Sequence, residues 1–311
     1  MKQWTAFFLF LAGAWAADLR VGLIGTDTSH ATAFTRILND PAAPGHVSGA
    51  QVVVAYKGGS PDLADSANRV EKFAEELRVK WKVEFVSEIR DMCGKVDALL
   101  LESVDGRKHL PQAREAFRCG KPVFIDKPLA STLEDARAIA RLTREAGVPW
   151  FSTSSLRYAS FLSQVKRQEV RGAVVWGPGP YEEHHYLDLS WYGIHAVEML
   201  YTVLGTGCEE VTRISGPEGD VVVGRWKDGR TGTVQLRRPH GDYGAVVFRA
   251  AGALQSTEPI DVDYAPMLAL IVEFFRTGTP PVPNEETLEL FAFLDAAQRS
   301  KEAGGKPTRL R

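Results

Sequence analysis

The feature that most constrains the fold is the alternation of short apolar strand patterns with helix patterns from residue 19 to residue 152. Strands separated by helices form right-handed βαβ units, whose parallel sheet is covered by helices on both faces. The pattern therefore predicts an α/β, Rossmann-like doubly wound domain over residues 18–149. The predicted strands are Leu19–Ile24, Val52–Ala55, Val83–Val86, Val96–Leu101, Val123–Ile125 and Trp150–Ser152, and the predicted helices are His30–Leu38, Ala67–Lys80, Leu110–Arg118 and Leu133–Ala146.

The pattern changes after Gly172, where strand patterns follow one another across short turns. Such spacing favours an antiparallel sheet. We expect a second, C-terminal α+β domain over residues 150–311, which ends in two helices. The predicted strands are Ala173–Trp176, Glu210–Ile214, Asp220–Trp226, Gly232–Leu236 and Ala245–Ala250, and the predicted helices are Ile194–Leu204, Pro266–Arg276 and Glu285–Ala303.

The first residues have the pattern of a secretory signal peptide. Lys2 precedes an apolar run from Ala6 to Ala14, and Ala14-Trp15-Ala16 offers small residues for cleavage after Ala16 or Ala17. A membrane anchor or a first strand are the alternatives, but the run is well short of the ~20 residues that a span needs. We expect residues 1–17 to be removed and the protein to be exported by a Sec-type route, to the periplasm or the exterior.

Composition limits the partners. The 37 Lys and Arg residues and 39 Asp and Glu residues nearly balance and form no basic stripe, so a nucleic-acid partner is not expected. After signal cleavage the protein is not expected to be integral to a membrane. The three cysteines, Cys93, Cys119 and Cys208, have no metal-site spacing. We expect buried thiols, with a single disulfide left open.

Three segments carry a family resemblance: Val21–Gly25, Cys119–Ala130 with its Asp126-Lys127-Pro128 run, and Tyr192–His195. They resemble the Gfo/Idh/MocA family of nicotinamide-dependent oxidoreductases, named after glucose-fructose oxidoreductase and inositol dehydrogenase. The resemblance implies a dinucleotide-binding domain followed by an open-faced, mainly antiparallel sheet that binds substrate and often makes oligomers. It also implies NADP or NAD as cofactor, a sugar, cyclitol or related polyol as substrate, and a homo-oligomer formed through the open sheet face.

The phosphate loop departs from the family's Gly-x-Gly-x-x-Gly pattern, of which only the first glycine remains. Amides at a helix N-terminus still attract anions, and hydroxyl groups in the loop can donate hydrogen bonds. Asp27 has an alternative role as the N-cap of the following helix. The expected cofactor residues of this loop are Gly25, Thr26, Asp27, Thr28, Ser29 and His30.

Further cofactor contacts are expected after three other strands. Lys57 follows the second strand, where NAD-binding relatives usually have an acidic residue. A lysine fits a 2′-phosphate better than a bare diol, which favours NADP, although Lys57 can equally be an ordinary exposed side chain. The resemblance also implies roles for Ser103 and His109 after the fourth strand and for Asp126 after the fifth.

Two residues are the expected catalytic pair. The oxidation of a carbinol needs a proton acceptor with a pKa near the working pH, and the imidazole of His195 titrates in that range. Lys127, which matches the lysine of the family's Glu-Lys-Pro signature, can hold and polarise the substrate oxygen. The alternatives are a structural salt bridge for Lys127 and a buried, hydrogen-bonded core histidine for His195.

The expected substrate residues lie beyond the domain junction, where clefts favour ligands. Five of the polar side chains in this part of the chain, His184, His185, Asp188, His195 and Glu198, also form a possible zinc-like ligand group, but no strict metal motif is present and no metal is expected. The substrate residues that we expect are Arg157, His184, His185, Asp188, Tyr192 and Glu198.

These observations predict an NAD(P)-dependent dehydrogenase. Two alternatives stay open. One is an exported carbohydrate-binding or scaffold protein with a degraded cofactor site, which the loss of loop glycines would explain. The other is a lyase or glycosidase that uses bound NAD transiently and leaves its redox state unchanged.

Overall fold

The structure, a computed structural model, describes residues 17–311. The predicted signal segment therefore lies, apart from Ala17, outside the described residues. Within residues 17–311 no helix combines the length and the apolar composition needed to cross a membrane.

Six parallel strands form the first sheet, in the order β3-β2-β1-β4-β5-β6. The order reverses between β1 and β4, and ligands of open α/β sheets bind at such a switch point, beyond the carboxyl ends of the strands. The doubly wound prediction is confirmed. The strands are β1 (Leu19–Ile24), β2 (Ala50–Tyr56), β3 (Glu84–Val86), β4 (Ala98–Leu101), β5 (Val123–Ile125) and β6 (Trp150–Phe151).

Helices α1, α4 and α5 have a side-chain N-cap, and α5 shows the signals at both of its ends. Before Leu133–Ala146, the Thr132 side chain accepts a hydrogen bond from Asp135 N, and Gly147 ends the helix with φ of 65°. Both ends therefore agree with the prediction. The helices are α1 (Ser29–Asn39), α2 (Ala64–Ala67), α3 (Val70–Lys80), α4 (Gly106–Phe117), α5 (Leu133–Ala146), α6 (Ser160–Ser163), α7 (Gly193–Leu204), α8 (Ala265–Thr277) and α9 (Asn284–Glu302).

Seven strands form the second sheet, in the order β12-β11-β7-β10-β9-β8-β13. Among the described strands of this sheet only β7 and β10 pair in parallel, so the mainly antiparallel prediction is confirmed. Helices α7 and α9 pack on one face. The strands are β7 (Val170–Pro178), β8 (Cys208–Gly216), β9 (Gly219–Trp226), β10 (Thr231–Arg237), β11 (Gly244–Arg249), β12 (Gly252–Gln255) and β13 (Thr308–Arg309).

The two halves share their cores. Strand β6 lies in the first sheet, two residues beyond the predicted boundary at residue 149. Helix α8, from the C-terminal half, packs Leu268 and Phe274 into the same core as Phe34 of α1 and Leu100 of β4. The first sheet and helix α8 of the second half therefore share one apolar core.

The cysteines are divided between two states. Cys93 and Cys119 form a disulfide across 26 residues, and Cys208 is a buried free thiol. The expectation of buried thiols therefore holds for Cys208 alone, and the disulfide that the sequence left open is present.

Candidate active site

A cavity of about 270 Å³ lies where the N-terminal end of α1 faces the second half of the chain. Six of the expected site residues line it together: Thr28, Ser29, His30, Lys127, Tyr192 and His195. The remaining lining residues were not predicted as site residues, and no motif groups them in the sequence. They are Asp65, Arg69, Val104, Ser155, Pro178, Trp191, Tyr243, Val262 and Tyr264.

The N-terminus of α1 is capped by Thr28, whose Oγ1 accepts a hydrogen bond from His30 N at 2.7 Å. The interpretation of Asp27 as the N-cap is therefore wrong. Asp27 is fully buried, and its carboxylate accepts hydrogen bonds from Ser66 Oγ at 2.6 Å and Val104 N at 3.1 Å. Burial raises the pKa of this carboxyl group. Asp27 thus joins the loops after β1 and β4 and turns its charge away from the cavity.

The turn after β1 needs its glycine. Gly25 has φ of 91°, and a Cβ there would lie 2.3 Å from Ser103 Oγ and 2.5 Å from Ser103 N. The next residue, Thr26, is fully buried and donates both N–H and Oγ1–H to Lys57 O. Gly25 and Thr26 therefore fix the loop, and the exposed Ser29 in the first turn of α1 is the part that a ligand can reach.

Three expected cofactor residues serve other contacts. Lys57 Nζ lies 2.6 Å from Glu71 Oε1 at the surface. His109 is fully buried, with its ring nitrogens 2.7 Å from Ser103 O and 3.2 Å from Leu129 O, and burial lowers its pKa. Ser103 Oγ is buried at the switch point without a hydrogen-bond partner among the described residues. The structure does not bring these three side chains to the cavity.

Lys127 and His195 reach the cavity from separate elements. Lys127 follows β5 and forms no salt bridge with the residues that the structure describes. His195, in the first turn of α7, has Nδ1 2.7 Å from Ser154 Oγ. Burial, followed by the positive charge of Lys127, lowers the pKa of His195 well below its usual value. The imidazole is therefore neutral at neutral pH. The expectation of a pKa near the working pH is wrong, and His195 can accept a proton only as a weaker base than a free imidazole.

Asp126 and Glu102 lie beneath this pair at the ends of β5 and β4. Asp126 Oδ2 lies 2.7 Å from His30 Nδ1. Burial acts to raise the pKa of Asp126, but the charge of His30 and its hydrogen bond outweigh burial and hold the pKa below its usual value. Burial, and then the negative charge of Asp126, raise the pKa of Glu102 well above its usual value.

Arg157 and Glu198 lie outside the cavity, in a buried ion-pair network. Arg157 Nε is 2.7 Å from Glu198 Oε2, and Arg157 Nη1 is 2.5 Å from Glu286 Oε1. The three side chains are 7%, 4% and 5% exposed. Their charges compensate one another in the interior. Neither Arg157 nor Glu198, both expected to contact substrate, lines the 270 Å³ cavity.

His184, His185 and Asp188 line a second, open cavity of about 590 Å³. Asp188 is held by Arg213 at 2.7 Å and Lys301 at 2.6 Å. Neither His195 nor Glu198 lines this cavity. The structure therefore does not bring the five residues of the possible zinc-like group together.

Comparison with known proteins gives the family. Residues 19–154 match the model of the Gfo/Idh/MocA family, described as an oxidoreductase family with an NAD-binding Rossmann fold. Residues 19–154 are therefore similar to the Gfo/Idh/MocA family. The family resemblance seen in the sequence is confirmed, and with it the class of NAD-binding, Rossmann-fold oxidoreductases.

A curated relative supports the same class. The chain is 36% identical over 100 residues to 1,5-anhydro-D-fructose reductase of Ensifer adhaerens. The match covers 32% of this chain and spans 29% of the length of the reductase.

Solved structures of low identity share the whole fold. Myo-inositol 2-dehydrogenase of Lactobacillus plantarum has a TM-score of 0.76 at 15% identity, covering 94% of this chain and 100% of that one. Myo-inositol dehydrogenase of Lactobacillus casei, solved with NAD(H) and myo-inositol, has a TM-score of 0.73 at 16% identity, with 94% and 97% covered. The WlbA dehydrogenase of Bordetella pertussis, solved with NADH and UDP-GlcNAcA, has a TM-score of 0.72 at 18% identity, with 94% and 99% covered.

The comparisons correct the prediction of export. The family that residues 19–154 match and the solved structures named above are described as oxidoreductases or dehydrogenases, and none of these descriptions names an exported protein. The family match begins at residue 19, after the segment on which the prediction depended.

Proposed function

We propose that the chain is an NAD(P)-dependent dehydrogenase that transfers hydride between nicotinamide and a sugar, cyclitol or related polyol. One observation carries this proposal: Lys127 and His195, from separate halves of the chain, line one cavity at the N-terminus of α1. A base and a cation beside a helix N-terminus suit a hydroxyl substrate and a phosphate-bearing cofactor.

The residues present fit such a cofactor at its phosphate end. Amides of the first turn of α1 and the exposed Ser29 hydroxyl face the cavity. The carboxylate of Asp27, which would repel phosphate, is turned inward to Ser66 and Val104. Thr28 and Ser29 would therefore hold the phosphates. Lys57 is paired with Glu71, so a 2′-phosphate would have to displace that pair, and both NAD and NADP remain candidates.

The chain's own residues would handle the substrate oxygen and its proton. The nicotinamide, when bound, supplies the hydride acceptor or donor. The Lys127 ammonium would hold the reacting hydroxyl oxygen and stabilise negative charge as the proton leaves. Neutral His195 would accept that proton, with Ser154 Oγ fixing its ring through Nδ1 at 2.7 Å.

The size and lining of the cavity favour a small polyol. A volume of about 270 Å³ is close to the lower end of the range for small-molecule sites, about 300–1,000 Å³. Tyr192, Tyr243 and Tyr264 offer hydroxyl groups beside aromatic rings. The similar proteins act as dehydrogenases or reductases, which favours hydride transfer over the binding-protein and lyase alternatives.

Turnover with a panel of aldoses, cyclitols and anhydro sugars tests the proposal, read as the appearance or loss of NAD(P)H absorbance. Lys127→Met should lower kcat/KM by about 10²–10⁴ because the developing charge loses its cation. Lys121→Met is the matched control, since Lys121 precedes β5 at the end of the strand remote from the cavity. Equal activity of the two variants, or no nucleotide-linked turnover in the whole panel, contradicts the proposal.

We also propose that the open face of the second sheet joins copies of the chain. Ile214 is 67% exposed, Val223 38% and Phe248 46%, all on the face opposite α7 and α9. Large apolar side chains exposed on one face of a sheet favour an association site there. Light scattering should give a mass above one chain, and Val223→Lys should lower it. A monomeric wild-type chain contradicts this part of the proposal.

A further inference from the structure

A buried cluster of three possible metal ligands lies at the carboxyl ends of β4 and β5. His30, Glu102 and Asp126 each offer one ligand atom, and these atoms lie within 4.8 Å of one another. The three residues are 8%, 0% and 2% exposed. The cluster sits at the switch point of the sheet, where ligands of this fold class bind.

Three oxygens of this cluster lack partners. Glu102 Oε1, Glu102 Oε2 and Asp126 Oδ1 are buried without a hydrogen bond to any described residue. An ionised carboxylate in the interior is costly unless it is paired. Protonation of Glu102 would remove its charge, and the new O–H group would donate at most one hydrogen bond, so the second Glu102 oxygen would still lack a donor. A cation among the three oxygens would satisfy all of them.

The neighbouring cation does not fill this role. Lys127 follows Asp126 in the chain, but its ammonium forms no salt bridge with Glu102 or Asp126 within 4.0 Å. The described residues give the four carboxylate oxygens one contact, from His30 Nδ1 to Asp126 Oδ2 at 2.7 Å. The other three oxygens therefore receive no hydrogen bond from the described residues.

We propose that His30, Glu102 and Asp126 bind a divalent transition-metal ion of the Zn²⁺ type. One imidazole and two carboxylates form a donor set that zinc accepts, and imidazole disfavours Mg²⁺ and Ca²⁺. Bonds of about 2.0–2.2 Å in a tetrahedron would place ligand atoms about 3.4 Å apart, so small rotations of the side chains close the site.

The position of His30 is fixed before any ion binds. Its ring stacks on Phe34 with centroids 5.0 Å apart and meets the edge of Tyr264 at 4.9 Å. His30 also lines the 270 Å³ cavity, so the ion would lie at the cavity wall near Lys127. Three protein ligands leave a fourth position for water or for an oxygen of the bound substrate.

Metal binding by the full chain, stripped with a chelator and studied without nucleotide, tests the inference. Calorimetric titration with ZnCl₂ and elemental analysis after dialysis should both give one ion per chain, with MgCl₂ and CaCl₂ binding at least 100-fold more weakly. Glu102→Gln should weaken zinc binding at least 100-fold. The matched control is Glu182→Gln, which removes a carboxylate paired with His184 at 2.5 Å in the second cavity and should change the affinity less than twofold.

Folding is monitored separately by circular dichroism and thermal unfolding. Without metal, Glu102→Gln should unfold near the wild-type temperature, because the amide has almost the same volume and adds no buried charge. His30→Gln provides a second ligand-loss variant. No zinc bound by the wild-type chain, or wild-type affinity in either ligand-loss variant, overturns the inference. Nucleotide binding is scored in its own titration, so its absence would contradict the proposed dehydrogenase and leave the metal result standing.

Discussion

The substitution Arg157→Met tests whether the buried network behind the cavity is structural. Arg157 is the only described cation within 4.0 Å of the Glu198 carboxylate, whereas Glu286 keeps Arg167 at 3.0 Å. Removal of the guanidinium group therefore leaves one buried carboxylate without compensation. Breaking a buried pair in this way costs about 3–5 kcal/mol.

The expected loss of unfolding free energy corresponds to a decrease in the melting temperature, Tm. An unfolding entropy of about 2.1 cal/mol/K per residue gives roughly 0.6 kcal/mol/K for the described chain. Arg157→Met should therefore lower Tm by about 5–8 °C. The double variant Arg157→Met with Glu198→Gln should recover at least about 2 kcal/mol of the loss, because the uncompensated charge is gone.

Urea unfolding at pH 7, followed by tryptophan fluorescence, measures these free energies, and steady-state kinetics on the same variants measures KM. A structural Arg157 predicts a large change in unfolding free energy and positive coupling with Glu198. A substrate-binding Arg157 predicts little change in unfolding free energy, no coupling with Glu198 and a raised KM. Stability within about 1 kcal/mol of wild type, together with a KM raised tenfold or more, would refute the reasoning.

Three further outcomes are expected. The folded-state pKa of Asp220 is about 2, because hydrogen bonds and neighbouring arginines outweigh burial. The pKa in the unfolded chain is near 3.9. Ionised Asp220 therefore contributes about 2–3 kcal/mol of stability above pH 4, and this contribution is lost as the pH falls to about 2. Asp220→Asn should flatten that part of an acid stability titration, and an unchanged slope would count against the assignment. Burial raises the pKa of the Cys208 thiol to about 12, and Cys93 and Cys119 form a disulfide. A thiol reagent should therefore label no cysteine in the native chain and one cysteine in urea without reductant. Three labelled cysteines in urea would disprove the disulfide. Thr132→Ala should cost about 1 kcal/mol through loss of the α5 N-cap, and no measurable loss would show that the cap is dispensable.

Periodicity and capping signals predicted most of the fold. Helix α5 agrees at both ends because Thr132 and Gly147 mark them in the sequence. Helix α4 was predicted to begin at Leu110 but begins at Gly106. Asp105 caps it by accepting a hydrogen bond from Arg107 N at 2.9 Å, and Pro111 is accommodated within the helix. Strand β12 was not predicted, since Gly252–Gln255 is short and mainly exposed.

The candidate site was predictable where residues follow a strand of the first sheet or a family motif. Lys127 and His195, which the resemblance selected, line the same cavity, and their catalytic roles stay predictions. Arg157 and Glu198 were misplaced because polarity in a sequence does not distinguish a ligand contact from a buried ion pair. Glu102, which we propose as a metal ligand, was not selected from the sequence. Its signal was a carboxylate directly after the fully apolar strand β4, at the edge where ligands of this fold bind.

The central claim is that a nicotinamide nucleotide binds at the N-terminus of α1, and NADH and NADPH titrations of the purified chain, read by nucleotide fluorescence, test it most directly. Saturable binding of one nucleotide per chain is predicted, with at least a tenfold weaker Kd in Ser29→Asp, because the added charge faces the phosphates. Ser163→Asp, at an exposed serine of α6, should bind as wild type does. No saturable binding of either nucleotide, or equal Kd values for the two variants, would contradict the account.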